Sequence, residues 1–288
     1  MYMEFIKNYK DQMTLRHSFN DLASSTFGIQ FEEWYKRGFW NERYIPYSFI
    51  VKNKVIANVS VNELTLLING KLKKAVQIGT VMTDHQFRNK GLSRALLQKV
   101  FEDYDKQVDL YYLFANHTVL DFYPRFGFSR RKEHLFSKKL PTEQPNKTLR
   151  KINLEKDIHL LEDYCTNRKQ QSQTFSSLHT EGINFFHFLH VFSNDLYYDD
   201  SSESILIFKV IDSNIHLFDC ISKREVALDE PIQALSTLGE NVYLHFTPDQ
   251  PDNYRVHPIK STDDVLFVKT TSPIELPRYF KHPVTSQA

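Results

Sequence analysis

Arg88-Asn89-Lys90-Gly91-Leu92-Ser93 places two cations, a glycine and a small hydroxyl residue where the chain changes from an extended to a helical pattern. Residues 75–82 read as a strand. After the turn, Leu92, Leu96, Leu97, Val100 and Phe101 recur at helical spacing, which predicts a helix over residues 93–104. A strand, a short basic turn and a helix start together suit a phosphate. The unpaired N–H groups of the first helical turn converge on the anion, and the positive end of the helix dipole faces it. Gly91 lets the backbone approach closely where a side chain would obstruct. Arg88 and Lys90 add charge.

About thirty residues on lies the stretch Asn116-His117-Thr118-Val119-Leu120-Asp121-Phe122-Tyr123-Pro124-Arg125-Phe126-Gly127-Phe128. Together the two segments resemble motifs A and B of the GNAT acetyltransferase superfamily. The first is similar to its Arg/Gln-x-x-Gly-x-Gly/Ala pyrophosphate loop, with Ser93 where Gly or Ala is usual. The second is similar to its Asn…Tyr-x-x-x-Gly-Phe pattern. The resemblance implies acetyl-CoA as cosubstrate, with Arg88, Asn89, Lys90, Gly91, Leu92, Ser93 and Arg94 gripping its pyrophosphate. It implies that the backbone of Val81, Met82 and Thr83 pairs with the pantetheine arm like an added strand. Asn116 then hydrogen-bonds the arm. Tyr123 is the implied general acid for the leaving thiolate, since a phenol of intrinsic pKa near ~10 is protonated at neutral pH. Gly127 and Phe128 are structural on this reading, a helix stop and a core anchor. Many family members place a glutamate on the strand before the loop. Here residues 76–82 hold no carboxylate. Glu63, Asp84 and His85 read as solvated loop or strand-edge residues, a water relay through Asn58, Ser60 or Gln77 stays open, and no base is assigned.

The chain has 288 residues, 41% hydrophobic and 14% aromatic, enough for one large domain or two modest ones. A net charge of +1 gives no field that favours nucleic acid or an anionic membrane. No apolar run is long enough to span a bilayer, and the N-terminus lacks a secretory pattern, so a cytoplasmic location is expected. Cys165 and Cys220 lack metal-ligand spacing and read as two free thiols.

Helical patterning covers residues 11–27 and 30–38. A strand is expected to begin near Tyr47. Val55, Ala57, Val59 and Val61 then alternate with Asn58, Ser60 and Asn62, which predicts a strand with two unlike faces. Asn69-Gly70 is a type I′ hairpin signal between residues 64–68 and 71–82. A strand over 110–115, a short helix over 119–126 and a strand pair within 128–140 follow. Residues 141–147, with two prolines among polar residues, are the expected linker. Beyond it the order repeats faintly: helices over 157–167 and 183–192, strands over 205–210 and 215–220 around a turn at 212–214, a helix over 231–238, and a strand over 242–246. Residues 222–227 stand in the place of the phosphate loop without a glycine.

The expected architecture is therefore α/β: a catalytic GNAT acyl-CoA N-acyltransferase fold over 1–140, with a mixed, mostly antiparallel sheet flanked by helices. A linker over 141–147 and a degenerate, non-catalytic GNAT-like α/β domain over 148–288 complete it. GNAT proteins of the "enhanced intracellular survival" type share that pairing of an active domain with a degenerate copy. The expected function is transfer of an acetyl group from acetyl-CoA to a primary amine, on a small molecule or a peptide, in a ternary complex. The alternative is a catalytically inactive acyl-CoA-binding sensor or interaction module. No metal, nucleic acid or membrane partner is expected, and homo-oligomerisation is left open.

Three further features have two readings. Trp34, Tyr35, Phe39, Trp40, Tyr44 and Tyr47 either wall the acceptor groove or anchor helices to the sheet. His187 and His190 sit on an apolar helical stripe with no third ligand in view, which argues against zinc. Arg130-Arg131-Lys132 either reaches the coenzyme's 3′-phosphate or ends a strand at the surface.

Overall fold

The structure, a computed structural model, describes residues 2–141, 149–260 and 263–288. The expected linker falls almost wholly outside the described residues. Strand β1 (Glu4–Lys7) precedes helices α1 (Met13–Phe27) and α2 (Glu32–Lys36), which lead into the meander β2 (Tyr44–Val51), β3 (Lys54–Ile68) and β4 (Lys71–Thr83). Helix α3 (Leu92–Tyr104) connects to β5 (Leu110–Ala115), then β6 (Ser129–Arg130) and β7 (His134–Lys139). The remainder runs β8 (Leu149–Lys151), α4 (Ile158–Thr166), β9 (Phe175–Leu178), α5 (Glu181–His190), β10 (Leu196–Asp199), β11 (Ser204–Ile211) and β12 (Asn214–Ser222). It ends with α6 (Asp229–Ala234), β13 (Asn241–Leu244), β14 (Arg255–Pro258) and β15 (Val265–Thr270). Among the described residues no helix is long and apolar enough to cross a membrane.

Local chemistry accounts for the central meander. Asn69 and Gly70 take φ of 48° and 73°, the pair of left-handed residues a type I′ turn requires, and β3 and β4 pair from Ile68↔Lys71 outward. On β3, Ala57, Val59 and Val61 pack with Leu96, Leu97 and Val100 of α3. The opposite face carries Asn58, Ser60 and Asn62, all buried. Asn58 and Ser60 belong to a network, with Asn58 Nδ2 donating to Ser60 Oγ at 2.9 Å and Ser48 Oγ donating to Asn58 Oδ1 at 2.9 Å, whereas Asn62 Nδ2 has no partner among the described residues. That satisfies most of what burial would otherwise penalise.

The strands form two sheets of the same topology. The first has the order β1-β2-β3-β4-β5-β15-β6, with β9 also on β3; the second has β8-β10-β11-β12-β13-β7-β14. Each begins as an antiparallel run and crosses through one helix, α3 or α6, to its one parallel neighbour, β5 beside β4 or β13 beside β12. Each then closes with a strand from the other half of the chain. β15 inserts antiparallel between β5 and β6, and β7 inserts antiparallel between β13 and β14.

The expected division at 140/148 therefore does not separate the two sheets. The strand pair expected within 128–140 is corrected too: β6 and β7 join different sheets instead of each other, because each pairs with a distant strand. The core crosses as well, since one cluster joins Phe19, Trp34, Trp40 and Tyr44 to Leu161, Phe185, Phe188 and Ile205.

A chain ending at residue 140 lacks β15, which strips β5 and β6 of their shared neighbour and uncovers the apolar row Leu110, Tyr112 and Phe114, which packs with Leu266 and Val268. We expect that truncation to aggregate and to show no cooperative thermal transition by circular dichroism, whereas the full chain melts cooperatively. A soluble, cooperatively melting fragment would contradict the interlocked topology.

Candidate functional site

Helix α3 starts at Gly91, whose φ of 75° puts it in the left-handed region and whose missing Cβ faces open space. Asn89 is left-handed too, at 62°. The first recorded helical bond after the turn is Ala95 N–H to Gly91 O at 3.0 Å, so the N–H groups of Leu92, Ser93 and Arg94 are the helix's open donors. No acidic residue lies in the first turn to compete with an anion. Arg88 is folded back, with Nε donating to Thr83 O at 3.3 Å, and Ser93 Oγ lies 3.1 Å from Thr83 Oγ1. The strand end and helix start are thus tied to each other.

The strand leading into this loop is bent and then released. β3 and β4 lose register between Asn58↔Met82 and Ser60↔Gly79, so two residues of β4 oppose one of β3. Thr80 sits in that bulge at φ 47°. Its carbonyl accepts from Asn58 Nδ2 at 2.8 Å, and its hydroxyl lies 2.8 Å from Tyr44 Oη. On the other side, β4 pairs with β5 only at Ala75↔Leu110, Val76↔Tyr111 and Gln77↔Tyr112. Past that point the two parallel strands separate, and β5 keeps only β15 as partner. The backbone of residues 78–83 therefore has an edge that β5 does not fill.

Beyond β5, the second motif is not the short helix expected over 119–126. It forms two 3-10 turns, His117–Val119 and Tyr123–Phe126. Asn116 Oδ1 accepts from Thr118 N at 3.0 Å and starts the first turn, while Pro124, lacking an N–H, keeps the second from joining it. Gly127 stops it at φ 86°. The ring of Tyr123 is wedged against Phe122, Phe128 and Phe267. Burial pushes its pKa up to about 12, so the phenol is protonated across the physiological range.

These pieces line one cavity of about 830 Å³. Val81, Met82, Thr83, Arg88, Asn89, Gly91, Leu92, Ser93, Arg94, Asn116 and Tyr123 all border it. Lys90 does not: its ammonium donates to Gln86 O at 3.1 Å and stands over the Phe87 ring. Asp84 is structural, since it accepts from Gln86 N and from Lys54, whose ammonium lowers its pKa. Glu63 accepts the Tyr104 hydroxyl. The aromatic segment resolves as packing: Trp34 Nε1 donates to Gly182 O at 2.7 Å, and Phe39 stacks on Phe185 with centroids 3.7 Å apart. None of its six rings borders the cavity, and neither do Arg130, Arg131 and Lys132.

Sequence reasoning missed Phe27, Ile29, Phe114, Arg125, Asp264 and Ala288, which also line the cavity. Gly28, the left-handed stop of α1, could have marked Phe27 and Ile29 as rim residues. Nothing local marks the segment 284–288, which the second sheet and its helices hold in place. Thr285 Oγ1 donates at 2.5 Å to Asp219, which is fully buried and also bound by Arg168 and Gln171. Asn184 Nδ2 donates to Thr285 O at 2.8 Å, and His187 Nε2 donates to Gln287 O at 2.6 Å. Burial lowers the His187 pKa, consistent with a neutral ring in that role. Gln77 Nε2 reaches Ser286 O at 3.3 Å. The backbone of Ala288 then lies so near β4 that a Cβ on Gly79 would come within 3.2 Å of its carbonyl carbon.

Cys165 and Cys220 are free and buried, and burial raises both thiol pKa values. No group of three or more His, Cys, Asp or Glu among the described residues could hold a metal ion.

A bent strand, its parted parallel neighbour, an open helix N-terminus and Tyr123 border a single cleft. Residues 12–131 match the family model described as an acetyltransferase (GNAT) domain. Among solved structures, a probable N-acyltransferase of unknown function from Enterococcus faecalis V583 is similar at TM-score 0.63 and 14% identity, over 94% of this chain and 73% of that one. Eis1 from Mycobacterium abscessus is similar at TM-score 0.60 and 14% identity, over 94% and 73%. A GCN5-related N-acetyltransferase from Kribbella flavida is similar at 0.59 and 13%, over 93% and 71%. At these identities the likeness is one of fold, and it spans both sheets. No curated protein matches the sequence significantly.

Thr285→Val removes one donor from a buried carboxylate with little change in volume. We expect a loss of about 1–3 kcal/mol in unfolding free energy by urea denaturation. Thr285→Ser, which keeps the hydroxyl, should lose markedly less.

Proposed function

We propose that the protein transfers an acetyl group from acetyl-CoA to a primary amine by direct attack within a ternary complex. The observation that carries this reading is the gap between β4 and β5, which leads from the open donors of α3 to the Tyr123 hydroxyl within a single cavity. The residues present fit the cosubstrate. Gly91 leaves space for a diphosphate, the N–H groups of Leu92, Ser93 and Arg94 aim at it, and Arg88 and Arg94 supply positive charge beside it. The unfilled edge of Val81 to Thr83 offers backbone groups to an amide-bearing arm. Asn116 stands at the far side of the gap, with its Oδ1 already committed to Thr118.

In the transfer step the uncharged amine nitrogen forms a bond to the thioester carbonyl carbon, and the carbon–sulfur bond breaks. Negative charge then collects on sulfur, and the proton that the nitrogen sheds on becoming an amide goes to solvent. Tyr123, which borders the cavity, is on this reading the donor to that sulfur. With its pKa raised, the phenol acts by sharing its proton as the bond breaks and does not spend time ionised. Cys165 and Cys220 are buried and neither borders the cavity, so the reading needs no covalent intermediate. Alignment of the two reactants along β4 supplies much of the remaining rate enhancement.

Tyr123→Phe keeps the ring packing and removes the donor. We expect turnover to fall by about 10²–10⁴-fold with acetyl-CoA affinity nearly unchanged; unchanged turnover with a good acceptor would remove Tyr123 from the chemistry. Gly91→Glu forces a side chain onto a left-handed position and sets a carboxylate against the diphosphate. Calorimetry should then detect no acetyl-CoA binding, and normal affinity would sink the loop assignment.

A further inference from the structure

A second concavity, of about 460 Å³, lies where the chain passes from one sheet to the other. Residues 131–134, between β6 and β7, border one side of it, and residues 274–280, beyond β15, border the other. His134 N–H donates to Phe280 O at 2.9 Å and joins the two sides. This concavity shares no lining residue with the one bordered by Gly91 and Tyr123.

Its charge is one-sided. Arg131, Lys132 and Arg278 line it, and no acidic residue does so among the described residues. None of the three has a carboxylate partner among the described residues, whereas Arg16, Arg37, Arg150, Arg168 and Arg224 each have one. Glu133, the acid within the same run, is turned inward at 7% exposure. It takes Lys281 Nζ at 3.0 Å and the His282 N–H at 2.8 Å, so it neutralises neither Arg131 nor Lys132. Three like charges gathered around one concavity repel each other, and an anion between them turns that repulsion into attraction. His134 also borders the site, and its Nδ1 is buried with no hydrogen-bond partner among the described residues.

The remaining lining is apolar. Ile274, Leu276 and Pro277 are half-buried, and the first two pack on the cluster that holds Leu266 and Phe280, which fixes their positions. The volume suits a small organic molecule more than a bare ion. Charge selects its anionic group. A carboxylate brings a single negative charge to three cations. A phosphate monoester brings about −1.5 to −2 with three acceptor oxygens, and the planar fork of an arginine takes two of those oxygens at once.

We propose that this concavity binds an organic phosphate monoester. The phosphate lies among Arg131, Lys132 and Arg278, and an apolar or aromatic body lies on Ile274, Leu276 and Pro277. The site is separate from the acetyl-CoA cleft and does not rest on the transferase reading.

The test is calorimetry on the full chain with phenyl phosphate, inorganic phosphate and benzoate, each with and without coenzyme A. Inorganic phosphate carries the charge without the ring, and benzoate carries the ring with one charge. The expected affinity for phenyl phosphate exceeds both others by about tenfold or more, with coenzyme A present or absent. Arg131→Gln and Arg278→Gln, at exposed positions, should each weaken it by about tenfold while the thermal midpoint and coenzyme affinity stay unchanged. Arg278→Lys, which keeps the charge, should weaken it less. Absence of phenyl phosphate binding overturns the proposal, as does its displacement by coenzyme A. Equal binding of inorganic phosphate or benzoate, or unaltered affinity in the two glutamine variants, overturns it too.

Discussion

Everything at the cleft follows from where two parallel strands stop pairing. β4 and β5 share three residue pairs and then part, and a strand edge without a partner in the middle of a sheet needs a cause. The cause lies on the far side of β4. The bulge against β3 puts Thr80 at positive φ and turns the strand, and Asn58 and Tyr44 hold that turn from a buried polar layer. Unsatisfied, those polar groups would be costly in a protein interior; satisfied, they fix one geometry. The α3 loop and Tyr123 then face each other across the opening because β4 and β5 deliver them there.

The second sheet repeats the arrangement and closes it. β12 and β13 also run parallel, pairing from Asn214↔Asn241 to Leu217↔Leu244. Just past that point stands Asp219, and the space about it is taken by Arg168, Gln171 and Thr285 of the same chain. The loop over 223–228 has no glycine, and α6 carries Asp229 and Glu230 in its first turn, where negative charge opposes an anion. The copy thus holds the segment 284–288 against the first sheet.

Much of the first half was legible in the sequence because its determinants are local. The Asn69-Gly70 turn, the two-faced β3 and the α3 stripe are each read within a window of a dozen residues, and each lies where it was expected. Lys90 was misplaced because charge alone says nothing of direction, and its ammonium turns back to Gln86. The two 3-10 turns around Tyr123 were read as one helix because Pro124 is compatible with a helix start. What could not be read is long-range: β15 between β5 and β6, β7 in the second sheet, and Ala288 beside Gly79. Those placements depend on which distant edge accepts a strand, and strand chemistry is much the same for every edge.

The reciprocal exchange of β7 and β15 sets a timetable for synthesis. β5 is complete at residue 115, yet its outer neighbour begins at residue 265. At roughly 5–20 residues per second, about 8–30 s pass before that edge can close. During the wait a nascent chain presents an open, apolar strand edge of the kind that recruits other chains. The yield of this protein should therefore respond to chaperone supply more than its finished stability would suggest.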